Sequence, residues 1–283
     1  MSDEGTRLNK FISETGMCSR READVLIERG RVKVNGKVAE MGTRVTAADK
    51  VEVQGKLIRP ANKAQAVYIA FNKPVGVVSV TEERVKDNIV DAVGHPRRVF
   101  PIGRLDKESE GLIFLTSDGD VVNKILRAGN AHEKEYEVTV SRHITEEFVR
   151  RMSSGIPILG TVTQPCPVRA NGPFSFTIIL TQGMNRQIRR MCEFLGYEVT
   201  KLKRTRIMNV KLGGLRTGEW RDLTHRELEE IMRMVANSSG TEEASTTPKP
   251  RPPPRSEPRS VPRGRIGGRG GRGGGRPGGR RRG

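Results

Sequence analysis

Residues 238–283 of this 283-residue chain offer almost nothing that a folded core could bury. The only apolar side chains in this segment are Ala244, Val261 and Ile266, and the rest is rich in Arg, Gly and Pro. A segment of this composition cannot offset the entropy of ordering its backbone, so we predict a disordered basic tail. Folding is therefore confined to the residues that precede it.

The positive charge of the chain is divided between the tail and the part before it. The formal net charge is +18, and residues 241–283, with 12 basic and 3 acidic side chains, hold half of it. This surplus favours a polyanionic partner. An Arg/Gly-rich tail suits loose contact with phosphates and stacked bases, and a solubilising extension is the alternative interpretation.

Simple patterns exclude several classes of protein. No run of apolar residues approaches the ~18 that a membrane span requires, and the polar N-terminus lacks the apolar core of a secretion signal. Cys18, Cys166 and Cys192 are widely spaced and odd in number, which argues against a disulfide framework or a structural zinc site. We expect a cytoplasmic protein with no membrane partner. Because no apolar interface strip is apparent, we also expect a monomer.

Residues 7–55 are predicted to form a small unit of their own. The signals are apolar residues at helical spacing, a Ser-x-x-Glu capping box, an alternating strand and an Asn-Gly tight turn. The predicted elements are a helix from Leu8, a helix from Ser19 to Glu28, a strand from Arg31 to Val34, a turn at Asn35-Gly36 and a strand from Lys50 to Val53. A unit of this size is marginal for a core but can fold alone.

The cations of this unit cluster around its helix ends and its first strand. The start of the second helix also presents backbone N–H groups that can bind a phosphate. These features favour nucleic-acid binding slightly over a solvated charged face. The candidate binding residues are Lys10, Ser19, Arg20, Arg21, Arg31 and Lys33.

A polar linker is predicted at residues 56–65, followed by a larger region at residues 66–237. Strands and helices alternate irregularly in this region, which favours an α+β fold with a mixed or antiparallel sheet. The predicted strands are Val67–Phe71, Leu112–Thr116, Glu135–Val140, Phe174–Leu180 and Glu198–Lys203. The predicted helices are Asp120–Arg127, Thr145–Ser153, Arg186–Leu195 and Arg226–Val235.

One short loop in the large region places a carboxylate between cations, directly before an apolar strand. In this loop Asp106 follows Arg104 closely and precedes Lys107. A carboxylate held by cationic neighbours stays ionised and can act as a nucleophile or a base. By itself the pattern is also that of an ordinary loop salt bridge, which is the commoner case.

Longer motifs resolve this ambiguity through resemblance. Residues 8–53 resemble the S4 RNA-binding domain, including its S-R-R-E-A helix start and V-x-V-N-G hairpin. The segment GRLDKESEGLIFLT at residues 103–116 resembles the catalytic motif of pseudouridine synthases. Three further motifs occur in that family's order: residues 72–76 (NKPVG) upstream of this segment, and residues 134–138 (KEYEV) and 183–191 (GMNRQIRRM) downstream of it.

Within that family, the S4 layout resembles the branch that acts on ribosomal RNA. Residues 204–210 and 132–136 are most similar to the F-type large-subunit synthases. The resemblance implies isomerisation of a uridine in 23S rRNA, and in some members also in the anticodon loop of tyrosine tRNA. It implies no metal or redox cofactor.

The resemblance also implies roles for individual residues. Asp106 is the catalytic carboxylate, and it either adds to C1′ or removes the 2′ proton to give a glycal. Arg189 is its basic partner, and Tyr136 lies against the target base. Because the reacting atom is buried in stacked RNA, the base is expected to be flipped out, with Arg104 filling its place or gripping the backbone. Arg186 and Arg190, four residues apart, are expected to contact phosphates from one helix face.

Two other functions stay open. A non-catalytic S4-type RNA-binding or ribosome-assembly factor could keep the same scaffold, although it would not need Asp106, Tyr136 and Arg189 together. A basic DNA-binding protein predicts that duplex DNA competes equally with structured RNA, and the S4 resemblance argues against it.

Overall fold

A computed structural model describes residues 5–60, 65–82, 84–126 and 132–236. The side chains of residues 123 and 124 are outside this description, and so is the whole of the predicted tail. No helix among the described residues is long and apolar enough to cross a membrane.

The N-terminal unit packs two helices on a small sheet. Its elements are β1 (Thr6–Arg7), α1 (Leu8–Glu14), α2 (Arg20–Glu28), β2 (Val32–Val34), β3 (Lys37–Val38), β4 (Arg44–Val45), β5 (Val51–Val53) and β6 (Lys56–Ile58). The order of the sheet is β3-β2-β5-β6, and β1 pairs separately with β4. Both helices bury one apolar face against these strands, in a core that includes Leu8, Ile12, Ile27 and Val32.

Local signals in this unit act as the sequence predicts. The Ser19 hydroxyl accepts from the Glu22 N–H and the Glu22 carboxylate accepts from the Ser19 N–H, so the capping box is confirmed. Such a cap contributes about 1 kcal/mol to the helix. Asn35 and Gly36 both have positive φ and close the hairpin between β2 and β3.

The predicted start of the linker is wrong. Residues Lys56–Ile58 are not a connector, because they pair antiparallel with Val51–Val53 as the fourth strand of the sheet. The turn between these strands is made by Gln54 and Gly55, both with positive φ. Gln is not a typical residue for that conformation, so the turn carried no clear signal in the sequence.

The larger region has an α+β architecture. Its strands are β7 (Tyr68–Lys73), β8 (Phe100–Ile102), β9 (Glu110–Thr116), β10 (Lys134–Val140), β11 (Pro157–Ile158), β12 (Thr161–Val162), β13 (Val168–Gly172), β14 (Ser175–Leu180), β15 (Val199–Ile207), β16 (Val210–Lys211) and β17 (Trp220–Asp222). Its helices are α3 (Ile89–Val93), α4 (Gly119–Leu126), α5 (Glu146–Ser154), α6 (Gln187–Phe194) and α7 (His225–Ala236).

The main sheet of this region is mixed, as predicted. Its strand order is β13-β14-β10-β15-β9-β7-β17, with β16 paired to β15 and β8 to β9. Among the described residues, the β9–β15 pair is parallel and the other strand pairs of this sheet are antiparallel. This parallel pair brings together two segments that are far apart in the sequence.

Strand β9 is covered on both faces, which makes it the rigid base of the loop that precedes it. Leu112 and Phe114 pack into the cluster that receives α4 and α7, whereas Ile113 and Leu115 pack into the cluster that receives α3. Strands buried on both faces are held by apolar contacts on each side, so their ends have little freedom to move.

Gly111 permits the close approach of β9 and β15. Its φ is +108°, and a Cβ at this position would lie 2.3 Å from the backbone oxygen of Arg204. Only glycine accepts both conditions at once. The glycine that follows Asp106 by five residues therefore has a structural task, which is to let β15 lie against the start of β9.

Candidate active site

The loop that carries Asp106 connects β8 to β9 and is fixed by hydrogen bonds. The Ser109 N–H donates to the Asp106 carbonyl at 3.0 Å, which makes a turn of residues 106–109. The buried Ser79 hydroxyl donates to the Leu105 carbonyl at 2.8 Å and accepts from the Leu105 N–H at 3.1 Å. Asp106 thus projects from a backbone that is bonded on both sides of it.

The NKPVG segment braces this loop from behind. The Lys73 side chain is fully buried, and its ammonium group donates to the Pro74 and Val77 carbonyls, both at 2.8 Å. The Gly76 N–H in turn donates to the Lys107 carbonyl at 2.8 Å. Burial, and next the charge of Arg204, lower the pKa of Lys73 to about 8.

A cleft of about 500 Å³ lies in front of Asp106. It is lined by residues from three of the four predicted motifs, and four residues predicted to contact the substrate meet there. These are Arg104 and Asp106 from the loop, Tyr136 from β10 and Arg186 at the start of α6. The volume is sufficient for one nucleoside, since ligand pockets typically span ~300–1,000 Å³. The apolar part of the lining includes Ile102, Phe114, Leu180 and Ile188.

Tyr136 is half-buried at the wall of the cleft. It packs against two apolar clusters, one that includes residues of α5 and α6 and one that includes residues of α3, so its ring is held by its neighbours. The guanidinium carbon of Arg204 lies 5.9 Å from the centroid of this ring, in a cation–π arrangement. An aromatic face fixed in this way is a suitable surface for a flipped base.

The structure assigns Arg189 a different contact from the predicted one. Arg189 is only 8% exposed, and its guanidinium donates to the Val199 carbonyl at 3.0 Å, the Glu108 carbonyl at 3.2 Å and the Ser109 hydroxyl at 3.4 Å. It therefore ties helix α6 to the end of the catalytic loop through backbone atoms. Its influence on Asp106 in this structure is that of a positioning residue.

The ion pair to Asp106 is made by Arg186. Its Nη1 lies 4.0 Å from Oδ2 of Asp106 and 3.0 Å from Oε2 of Glu108. Hydrogen bonds from its own backbone N–H and from Arg186 lower the pKa of Glu108. The sequence analysis predicted a phosphate contact for Arg186 and did not identify Glu108 as a site residue.

Arg186 and Arg190 do not share a helix face, contrary to the prediction. Helix α6 begins at Gln187, and Arg186 is its N-cap residue with a left-handed φ of 49°. Its side chain turns towards the catalytic loop, whereas Arg190 donates back to Asn185. The spacing of four residues applies only inside a helix, and the helix starts one residue too late.

Two cations of the cleft were missed as site residues by sequence reasoning. Arg204 on β15 and Lys134 on β10 both line it. Lys134 donates to the His132 carbonyl at 3.0 Å, and burial, followed by the charge of Arg204, lowers its pKa to about 8. Alternation along β15, in which Leu202 and Arg204 are both buried, is the signal that could have indicated an inward-facing arginine.

The predicted S4 residues lie mainly on the surface. Arg20, Arg31 and Lys33 are exposed, and Arg21 is exposed while pairing with Glu82 at 3.1 Å. Ser19 uses both its hydroxyl and its N–H within the capping box.

Lys10 has a more specific contact. It pairs with Glu14 at 3.4 Å and with Asp120 at the start of α4. It therefore links the small unit to the larger region, which the prediction of a phosphate contact did not anticipate.

Comparisons with known proteins agree with this geometry. Residues 6–60 match the S4 domain and residues 67–194 match the RNA pseudouridylate synthase family. Over 251 residues the chain is 60% identical to the dual-specificity RNA pseudouridine synthase RluF of Salmonella typhi and to that of Escherichia coli K12. Each match covers 89% of this chain and 87% of the relative.

More distant relatives show the same class. The ribosomal large subunit pseudouridine synthase B of Bacillus subtilis is 36% identical over 234 residues, which is 80% of this chain and 95% of that protein. A crystal structure of a pseudouridylate synthase aligns with a TM-score of 0.58 at 29% identity, over 80% of this chain and 99% of that one.

The fold and the cleft define an RNA-modifying enzyme with an N-terminal S4 domain. The chain belongs to the RNA pseudouridine synthase family, whose members are isomerases that convert uridine to pseudouridine in RNA. The predicted S4 domain, catalytic region and similarity to the F-type synthases are confirmed.

Proposed function

We propose that this enzyme isomerises one uridine of 23S rRNA and that a tRNA anticodon loop is a second substrate. The single observation that carries the catalytic part is the meeting of Asp106 and Tyr136 in one nucleoside-sized cleft. The choice of RNA is supported by relatives described as dual-specificity and as acting on the large ribosomal subunit.

The proposed reaction is an isomerisation, in which bonds of one nucleotide are rearranged and its atoms stay the same. The C1′–N1 bond breaks, the uracil turns, C5 bonds to C1′, the C5 proton leaves and N1 takes up a proton. Asp106 either adds to C1′ or removes the 2′ proton to give a glycal. Nη1 of Arg186, 4.0 Å from Oδ2 of Asp106, places a positive charge beside the carboxylate that both routes use.

Recognition of the RNA is divided among the parts of the chain. Residues 7–55, through Arg20, Arg21, Arg31 and Lys33, contact RNA phosphates, and residues 66–237 carry the chemistry. Arg104, exposed at the mouth of the cleft, contacts the RNA around the flipped base. The tail at residues 238–283 adds attraction that does not depend on sequence. The enzyme acts as a monomer in the cytoplasm.

The test is to map pseudouridines in 23S rRNA and tRNA from cells that lack the gene and carry one of three replacements. We expect the lost sites to return with the wild type and with Asp222→Asn, whose side chain is exposed on β17 away from the cleft. Asp106→Asn should leave them unmodified, because loss of such a group costs ~10²–10⁴-fold or more in rate.

Each part of the proposal can fail separately. Restoration of the sites by Asp106→Asn would refute the catalytic role of the carboxylate. If deletion of the gene removes no pseudouridine, the chain is a non-catalytic RNA-binding factor. If only 23S rRNA changes, the second substrate is wrong.

A further inference from the structure

Arg204 is a buried cation with incomplete hydrogen bonding among the residues that the structure describes. It is 4% exposed, and its Nε donates to the Leu112 carbonyl at 2.6 Å. Its Nη2 is buried and has no hydrogen-bond partner in the part of the chain that the structure describes. Within that same part, its guanidinium forms no ion pair with a carboxylate. Burying a charge without an oppositely charged partner costs stability, so a functional reason for this buried arginine is expected.

The position of Arg204 points to the cleft. It lines the cleft together with Asp106 and Tyr136, and its guanidinium carbon is 5.9 Å from the centroid of the Tyr136 ring. Its backbone is fixed by the close approach to Gly111 at the start of β9. The guanidinium is thus held at a defined place relative to the catalytic loop.

The lining of the cleft holds more cations than carboxylates: four basic side chains, Arg104, Lys134, Arg186 and Arg204, and one carboxylate, Asp106. Lys134 lines the same cleft, and Lys73 is fully buried behind it. The charge of Arg204 contributes to lowering the pKa of both lysines, after the larger effect of burial. A site built in this way complements a ligand that is, or becomes, an anion.

Arg206 on the same strand shows the contrast. It donates to the Met208 carbonyl at 2.8 Å and pairs with Glu133 at 2.9 Å and Glu135 at 3.3 Å. It does not belong to the lining of the cleft. Two arginines separated by one residue therefore differ in their partners, and of these two only Arg204 has an unpaired donor near the Tyr136 ring.

We infer that Arg204, assisted by Lys134, binds the uracil ring and stabilises the negative charge that the ring acquires when it is released. When the C1′–N1 bond breaks, its electron pair goes to N1 and spreads onto O2 and O4. A uracil that lies against Tyr136 also lies beside Arg204, whose guanidinium carbon is 5.9 Å from the centroid of that ring. The charge is consumed when C5 bonds to C1′, the C5 proton is lost and N1 is protonated. This inference rests on the function proposed above.

The test compares two leaving groups in single-turnover cleavage of the C1′–N1 bond. Fluorine at C5 withdraws electrons, so a 5-fluorouracil anion needs less stabilisation from the protein than a uracil anion does. We expect Arg204→Met to slow cleavage of a uridine RNA by at least ~10-fold, and that of the matching 5-fluorouridine RNA by clearly less. RNA affinity should change little. The variant removes a buried charge that has no ion pair and also the donor to the Leu112 carbonyl, so the melting temperature is measured alongside to establish that the variant is folded.

Arg206→Met is the matched control. It should lower the melting temperature, since it breaks two ion pairs, and slow cleavage of both RNAs equally or not at all. Arg204→Lys keeps a charge but loses the fork of donors, so a smaller loss with the same preference for 5-fluorouridine is expected. This second variant also carries the comparison if Arg204→Met does not fold.

The outcomes separate this inference from the function on which it rests. Equal slowing of the two RNAs by the Arg204 variants would overturn the inference and leave the proposed function intact. A wild-type enzyme that forms no pseudouridine in 23S rRNA would refute the function itself.

Discussion

The cations of the S4 domain and those around the catalytic cleft are held in opposite ways. Arg20, Arg31 and Lys33 stand exposed on the S4 surface, where water and salt screen them. Lys73, Arg189 and Arg204 are almost fully buried, and backbone carbonyls accept their hydrogen bonds. The first group can act on any phosphate within reach, whereas the second acts at fixed positions.

This difference explains how one positive chain performs two tasks. Exposed cations give attraction that is additive and tolerant of the loss of any one member. Buried cations give electrostatics that are already oriented before the substrate arrives, at a cost in stability. The comparison predicts large, specific effects in the cleft and small, salt-dependent effects on the S4 surface.

The largest effect should come from Gly111→Ala, which disrupts the close contact between β9 and β15 that fixes the backbone of Arg204. The new Cβ would lie 2.3 Å from the Arg204 carbonyl oxygen, and the φ of +108° is itself unfavourable for alanine. We expect loss of more than ~3 kcal/mol of unfolding free energy, or failure to fold. Denaturant unfolding measures this.

Gly218→Ala provides the control for backbone strain alone. Gly218 also has a positive φ, of +84°, but nothing lies within 4 Å of its added Cβ. It should lose only about 1 kcal/mol. Similar losses in the two variants would mean that the approach of β9 and β15 is not tight, and that Arg204 is not held as described.

The next largest effect should separate two neighbours on helix α6. Arg189 is buried and bonded to the Glu108 and Val199 carbonyls, whereas Arg190 is half-exposed and donates to Asn185. We expect Arg189→Met to lower the single-turnover rate by at least ~10-fold and to destabilise the fold by about 3 kcal/mol, because buried carbonyls lose their partners. Arg190→Met should change both quantities little. Equal effects of the two variants would contradict a positioning role for Arg189.

The pKa of Lys73 allows the effect of burial on the cations near the cleft to be tested by varying the pH. Its pKa is about 8 in the folded protein and near 10.5 when unfolded, so the unfolded chain binds more protons between these values. The free energy of unfolding should therefore rise with pH from about 8, and up to about 3 kcal/mol of destabilisation is relieved by pH 10.5.

The measurement is the slope of unfolding free energy against pH, best taken between pH 8 and 9. From the upper part of this window onwards the buried thiols of Cys18, Cys166 and Cys192, whose pKa values burial raises, act in the opposite direction, because the unfolded chain loses these protons first. Lys73→Met should reduce the slope by about half, because Lys134, whose pKa is also lowered to about 8, contributes the other part. An unchanged slope in that variant would show that Lys73 is not the titrating group.

Local and nonlocal features differ in how far the sequence could predict them. The Ser19 capping box and the Asn35-Gly36 turn depend on neighbouring residues, and they form as predicted. The true contacts of Arg189 and Arg204 depend on the parallel pairing of β15 with β9, across about ninety residues of chain. No short pattern specifies such a pairing, so the roles of these arginines required the structure.

The smallest effect should come from the exposed cations of the S4 domain. Arg31→Gln and Lys33→Gln remove charges from β2 and the residue before it without disturbing the core, because both side chains are exposed. Each change should weaken RNA binding a few-fold and lower the slope of log affinity against log salt by roughly one per lost phosphate contact, while the modified uridine stays the same. Filter binding over a range of salt concentrations, with pseudouridine mapping, measures both.

Lys10→Gln is the control for these two variants. Because the Lys10 ammonium already pairs with Glu14 and Asp120, this change should lower the melting temperature more than it changes the salt slope. If instead Arg31 and Lys33 determine which uridine is modified, the S4 surface reads RNA at fixed positions, and its contrast with the cleft disappears.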